Sequence, residues 1–259
     1  MFRDARGLAL AAFLSLCGLL GAAPLPPAPK IDLVLNPDEF PVQPWLIRAK
    51  EVRAELGLQM ADYKKLKSQV AKLERKLADE DDQALNAQID LAEKAGTPLT
   101  DPATEQLELG YQREREKKLS KTILESFSAT QRLRLQQIDL QTRGVRAFLV
   151  PGVSQALKLT KPQLDKAKEL ADKIDREVGK MARALTEGEE ASDSFDEDDI
   201  EELQAEFDKK NQVALKALLE KFTPEQKLTW TKLSGKTFSG RWLSIVAFNF
   251  GSSFGPATE

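Results

Sequence analysis

The sequence predicts an all-α fold: two tandem modules of long helical hairpins with coiled-coil-like packing, plus a short aromatic-rich C-terminal tail. Three observations predict it. The chain is 31% charged and only 7% aromatic, a composition that suits long exposed helices better than a compact sheet. Apolar residues recur at alternating spacings of three and four, in Tyr63, Leu66, Val70, Leu73 and Leu77, and again in Leu164, Ala167, Ala171, Ile174, Val178, Met181 and Leu185. That rhythm places them in one stripe along a helix. Finally, two blocks recur in the same order. Val52-x-x-x-Leu56-x-Leu58 returns 101 residues later as Val153-x-x-x-Leu157-x-Leu159, and Ile123-Leu124-Glu125 with Phe127-Ser128-x-x-Gln131 returns 95 residues later as Leu218-Leu219-Glu220 with Phe222-Thr223-x-x-Gln226. Ordered recurrence at nearly constant spacing argues for two copies of one helical unit.

Residues 1–23 read as an export signal. Arg3 and Arg6 form a positive start, and an apolar run over residues 8–23 ends in Gly21-Ala22-Ala23. At 16 residues the run is short for a membrane span, which needs about 20. Cleavage after Ala23 leaves Pro24 beside the cut, so an uncleaved membrane anchor is the alternative. Cys17 is a poor lipidation site, because bulky Leu14 stands ahead of it. The expected location is periplasmic or secreted. Residues 24–43 form a Pro-rich linker, with Pro24, Pro26, Pro27, Pro29, Pro37 and Pro41; fixed φ and missing donors favour an extended tether.

The first module spans residues 44–143. Pro44 suits the first turn of a short helix running to about Leu56. The long stripe follows, and Asp79-Glu80-Asp81-Asp82 is expected to interrupt it, with a short helix over residues 83–94. Gly96-Thr97-Pro98 breaks the chain. Asp101 reads as a cap before Pro102, opening a helix to about Ser126, and another helix runs from Ser128 to about Gly144. The second module spans residues 144–236. A short helix around residues 147–157 joins the two. A helix over residues 161–185 would be about 37 Å long. An acidic segment, residues 187–206, leads into a helix ending near Lys221. Thr223 opens the last helix and Gly235 ends it. The tail covers residues 237–259.

The helix starts share a physical device. In Leu159-Thr160-Lys161-Pro162-Gln163 and Phe222-Thr223-Pro224-Glu225-Gln226, the threonine hydroxyl can accept the backbone N–H three residues on, while the glutamine reaches back to the threonine N–H. Ser128 and Gln131 keep the serine form. Gln59 to Asp62, at the matching place, lacks the hydroxyl. Leu159 on Leu164 and Leu58 on Tyr63 would close these starts with apolar contacts. The structural helix caps expected from sequence are therefore Thr160, Gln163, Thr223, Gln226, Ser128 and Gln131.

Leu-Thr-x-x-Gln, used around a long helical hairpin behind an export signal, resembles the LTXXQ family of small periplasmic proteins, the Spy and CpxP type. The likeness is best over residues 160–233 and fainter over 58–138. The resemblance implies an all-helical protein that dimerises into a curved cradle, acting as an ATP-independent chaperone or as an accessory of envelope-stress signalling. Here the motif-bearing unit occurs twice, so one chain could supply the two-fold that the family makes by dimerisation.

Charge and composition narrow the function further. Without the signal the chain has 36 basic and 40 acidic residues. Residues 187–206 hold eleven acids and no base, so the rest carries a net +7. The run reads first as a solvated loop whose later part favours the next helix start, with Ser194-x-x-Glu197 as a capping box. A tethered competitor for acidic partners and weak cation binding are the other readings; EF-hand spacing is absent. The chain has no histidine, and its one cysteine, Cys17, lies in the signal. No histidine base, mature thiol nucleophile or Gly-rich phosphate loop remains, and a carboxylate pair from the acidic run would lack the burial that tunes an acid and a base. The sequence thus predicts no catalytic site, cofactor, metal, nucleic acid or small-molecule substrate. It predicts unfolded or envelope protein clients, with one specific envelope partner as the alternative. The tail gathers Phe238, Trp242, Leu243, Ile245, Val246, Phe248, Phe250 and Phe254, and is expected to cover a groove of the bundle beside Trp230.

Overall fold

Proline, glycine and the apolar stripes partition the chain into eight α-helices and two short 3₁₀ helices among the described residues. The computed structural model describes residues 35–36, 40–97, 99–186 and 197–240. The expected export signal, residues 24–34 and 37–39 of the expected linker, Ser194 with the first half of the acidic run, and the tail beyond Gly240 lie outside the described residues.

The protein is all-α, with no strand among the described residues. A 3₁₀ helix, Pro44–Arg48, leads into α1 (Lys50–Glu55), α2 (Met60–Lys94), α3 (Asp101–Glu125) and α4 (Ala129–Arg143). The same order then runs again. A 3₁₀ helix, Gly144–Leu149, is followed by α5 (Pro151–Ala156), α6 (Lys161–Thr186), α7 (Glu197–Leu219) and α8 (Pro224–Ser234).

Four boundaries differ from the sequence reading. Residues 44–56 do not form one helix; the extended backbone of Ala49, at ψ 129°, separates the 3₁₀ turn from α1. Asp79 to Asp82 does not interrupt α2, which runs unbroken for 35 residues, about 52 Å. Asp79, Glu80 and Asp82 are exposed and Asp81 is half-buried, and two are paired: Glu80 with Lys76 at 3.5 Å and Asp81 with Arg115 of α3 at 3.6 Å. Acids without β-branching are compatible with a helix interior once solvated or paired. Thr100, not Asp101, is the cap of α3, and Pro102 falls within its first two positions. The acidic run is helical from Glu197, the start of α7.

α2 packs along α3, and α6 along α7. The two copies meet where α4 packs on α8 and where the second 3₁₀ helix lies against α4, α6 and α7. A single apolar core runs through both copies, from Phe40, Leu46 and Val52 through Ile123, Leu135 and Ile138 to Phe148, Leu157, Leu203 and Leu218. Phe148 sits at its centre. The ring of Phe222 meets it edge-on at 5.2 Å and that of Trp230 lies 4.5 Å away. Trp230 is thus buried by the second copy's own 3₁₀ helix, and Phe238 is partly buried against the same core.

Candidate functional site

The predicted caps lie at the ends of the long helices, and in both copies the glutamine does more than cap. Ser128 Oγ accepts from the backbone N–H of Gln131 at 3.3 Å, and Gln131 Oε1 accepts from Ser128 N–H at 3.0 Å. Gln131 Nε2 then donates to the carbonyl of Leu56, at 3.0 Å. In the second copy, Gln226 N–H donates to Thr223 Oγ1 at 3.2 Å, Thr223 N–H donates to Gln226 Oε1 at 2.9 Å, and Gln226 Nε2 donates to the carbonyl of Leu157 at 3.1 Å. Leu56 and Leu157 are the equivalent C-caps of α1 and α5. A helix C-terminus leaves carbonyls without intrahelical partners. One glutamine therefore closes the start of one helix and the end of another.

Backbone geometry makes this possible. After α1, Gly57 takes φ 62°, and after α5, Lys158 takes φ 50°. The amides of Leu58 and Leu159 fold back to the carbonyls of Arg53 and Ser154, at 2.9 and 3.0 Å. These are Schellman-type ends. They turn the chain sharply and leave the C-cap carbonyl facing the glutamine.

At the Thr160 start, Gln163 Oε1 accepts from Thr160 N–H at 2.9 Å and from the Thr160 hydroxyl at 3.1 Å, as Gln131 Oε1 does from the Ser128 hydroxyl at 3.0 Å. Gln163 Nε2 donates to the carbonyl of Lys221 at 3.1 Å and to Gln226 Oε1 at 2.9 Å, and Gln226 Nε2 returns a bond to Gln163 Oε1 at 3.2 Å. The glutamines of Leu159-Thr160-x-x-Gln163 and Phe222-Thr223-x-x-Gln226 thus form a reciprocal amide pair. At the matching place in the first copy stand Gln59 and Asp62, and α2 begins without a side-chain cap.

A second polar cluster fastens Leu35 and residues 41–43 to the first copy. Asp139 is fully buried. Its carboxylate accepts from Arg143 Nε at 2.8 Å and from Gln43 N–H at 3.3 Å, while Arg143 Nη2 donates to the Pro41 carbonyl at 2.7 Å. Val42 N–H donates to Ser120 Oγ at 2.8 Å, and Gln136 Nε2 to the Leu35 carbonyl at 2.7 Å. Burial pushes the Asp139 carboxyl above its ordinary pKa, with Arg143 opposing. The nearby Glu116 is raised the same way, against Arg143, Arg115 and Arg113. Asp139 is sealed by protein and turned toward Arg143 and the Gln43 N–H, which anchors the chain there, while Glu116 is half-buried and bonds the Gln112 side chain.

The junction between copies is also polar. Arg134 of α4 pairs with Glu55 at 2.7 Å and donates to the Lys236 carbonyl at 2.7 Å. Gln141 donates to the Ser234 and Lys236 carbonyls at 2.6 and 2.8 Å, and accepts from Phe238 N–H at 2.7 Å. Arg146 pairs with Asp175 of α6. On α6 and α7, Lys210 bridges Glu177 at 2.7 Å and Glu206 at 3.1 Å.

What remains open is the outer surface of the long helices. Met60, Leu91, Val213 and Leu228 are more than half exposed. Among the described residues, no group of three or more acids could hold a metal ion. None of the described helices is long and apolar enough to cross a membrane. No protein-family model, curated protein or solved structure matches this chain.

Proposed function

We propose that the chain is an exported, non-enzymatic helical binding protein of the LTXXQ kind, which holds unfolded or partly folded envelope proteins without ATP. The observation that carries this reading is the pair of equivalent glutamines, Gln131 and Gln226, each joining a capping box to the C-cap carbonyl of the preceding short helix. This gives the Ser/Thr-x-x-Gln start, here Phe127-Ser128-x-x-Gln131 and Phe222-Thr223-x-x-Gln226, a role that a generic helix start does not require. It anchors the base of each long helix pair and leaves its charged outer faces available. Exposed leucine, methionine and valine among those charges supply the mixed surface that a client with both apolar and charged stretches would meet.

The test is light scattering of two unrelated aggregating proteins, with and without the purified chain and with no nucleotide. Suppression of both at near-stoichiometric amounts is the expected result. Suppression of neither would overturn the chaperone reading in favour of a module that binds one envelope partner.

A further inference from the structure

Charge is segregated along the α2–α3 pair. At its base, residues 60–76 hold six basic and two acidic residues, and residues 112–125 five basic and three acidic. Toward its tip the sign reverses: residues 79–111 hold nine acids and one base, Lys94. Burial changes at the same place. Leu66, Val70, Leu77, Leu119, Ile123 and Leu124 are buried at the base. Beyond Leu77 on α2 and before Leu119 on α3, no described apolar side chain is fully buried. Leu85, Ile89, Leu99, Leu107 and Leu109 are partly open, and Leu91 is 62% exposed. Asp90 and Glu93, both exposed, are the acids nearest Leu91 in sequence, and exposed Lys94 stands one turn on. The tip is therefore an acidic surface with apolar side chains left without a third layer.

We infer that the acidic, leucine-bearing tip of α2–α3 binds cationic amphipathic segments of protein partners. An amphipathic helix places its apolar face on open leucines and its Lys or Arg flanks on the acidic rim. Other occupants fit less well. The C-terminal residues 241–259 are apolar but carry one base and one acid, Arg241 and Glu259, so they leave the acids unmatched. The base of a second copy carries matching charge, but its apolar residues are buried. Anionic lipid and nucleic acid are repelled by the acids.

The inference rests on the binding-protein reading but is tested apart from it. A labelled peptide of about five helical turns, with leucine on one face and lysine on the other, is titrated into the full chain by fluorescence anisotropy. Its glutamate counterpart serves as the probe of sign. Binding of the lysine peptide alone is expected, weakened by at least about tenfold in the double variant Asp90→Lys, Glu93→Lys and by high salt. Leu91→Ser is expected to weaken it about threefold or more, as a lost apolar contact. All three positions are exposed, so these variants keep the fold, which circular dichroism verifies. Absent binding, or equal binding by the reversed-charge variant, would overturn the inference. So would a dimer in sedimentation that the charge reversal dissociates, because the tip would then belong to a second copy. Aggregation suppression that persists without peptide binding would remove the tip assignment alone; loss of suppression with peptide binding intact would remove the chaperone reading alone.

Discussion

Replacing Gln226 with alanine removes one side chain from three helix ends at once. Gln226 is 9% exposed. Its amide receives the Thr223 N–H at 2.9 Å, donates to the Leu157 carbonyl at 3.1 Å, and exchanges bonds with Gln163 at 2.9 and 3.2 Å. The Thr223 N–H lies at a helix start and regains some hydration. The Leu157 carbonyl and the Gln163 amide lose partners in a part-buried place. A buried group left unsatisfied costs about 1–3 kcal/mol. The two most enclosed bonds together predict a loss of about 2–4 kcal/mol, and a thermal midpoint about 5–15 °C lower for a domain of this size. Urea unfolding followed by circular dichroism reads the change directly. Gln163→Ala is the internal control: its bonds are more exposed, and it should cost about half as much. A Gln226→Ala loss below about 0.5 kcal/mol, the range of an ordinary surface change, would refute the claim that this amide joins the helix ends.

Other consequences follow from the same structure. Lys158→Gly relieves a left-handed residue at φ 50° and should stabilise by several tenths to about 1 kcal/mol in the same unfolding assay; a loss of stability would show that the lysine side chain matters more than its backbone. Gly144→Ala should destabilise by more than about 2 kcal/mol, because φ is 56° and the added Cβ would lie 2.2 Å from Asn211 Oδ1. Burial raises the Asp139 and Glu116 pKa values, so their contribution to stability is present below the unfolded carboxyl pKa and is lost as pH rises through the folded one. Glu116→Gln should therefore gain stability relative to the parent as pH rises above the ordinary carboxyl value of about 4; a gap that narrows as pH rises would contradict the sign.

Helix ends were readable from sequence wherever one residue type decides the backbone. Pro44, Pro102, Pro224, Gly144 and Gly235 all stand at element boundaries, because ring closure and positive φ act locally. The capping boxes at Ser128 and Thr223 were legible for the same reason, since donor and acceptor lie three residues apart. The second role of the glutamines was not. Gln131 and Gln226 bind carbonyls 75 and 69 residues away, and backbone carbonyls carry no sequence signature. The one available signal was the ordered recurrence itself, which places a leucine C-cap before a capping glutamine in each copy, 75 and 69 residues apart. The acids at Asp79 to Asp82 misled because composition alone cannot say that Arg115 stands across from Asp81. The charge segregation of α2–α3 needs the pairing of two helices before near and far ends acquire meaning.

The proposed function places unfolded proteins on the open faces of the long helices. Site-specific photo-crosslinking tests it most directly, with a photoreactive residue at exposed Leu91 and a second at Thr231 on α8, also exposed, as comparison. Crosslinks are expected from position 91 to two unrelated clients while they are unfolded, fewer from position 231, and none once those clients have folded. Equal crosslinking of folded and unfolded clients, or none from position 91, would contradict it.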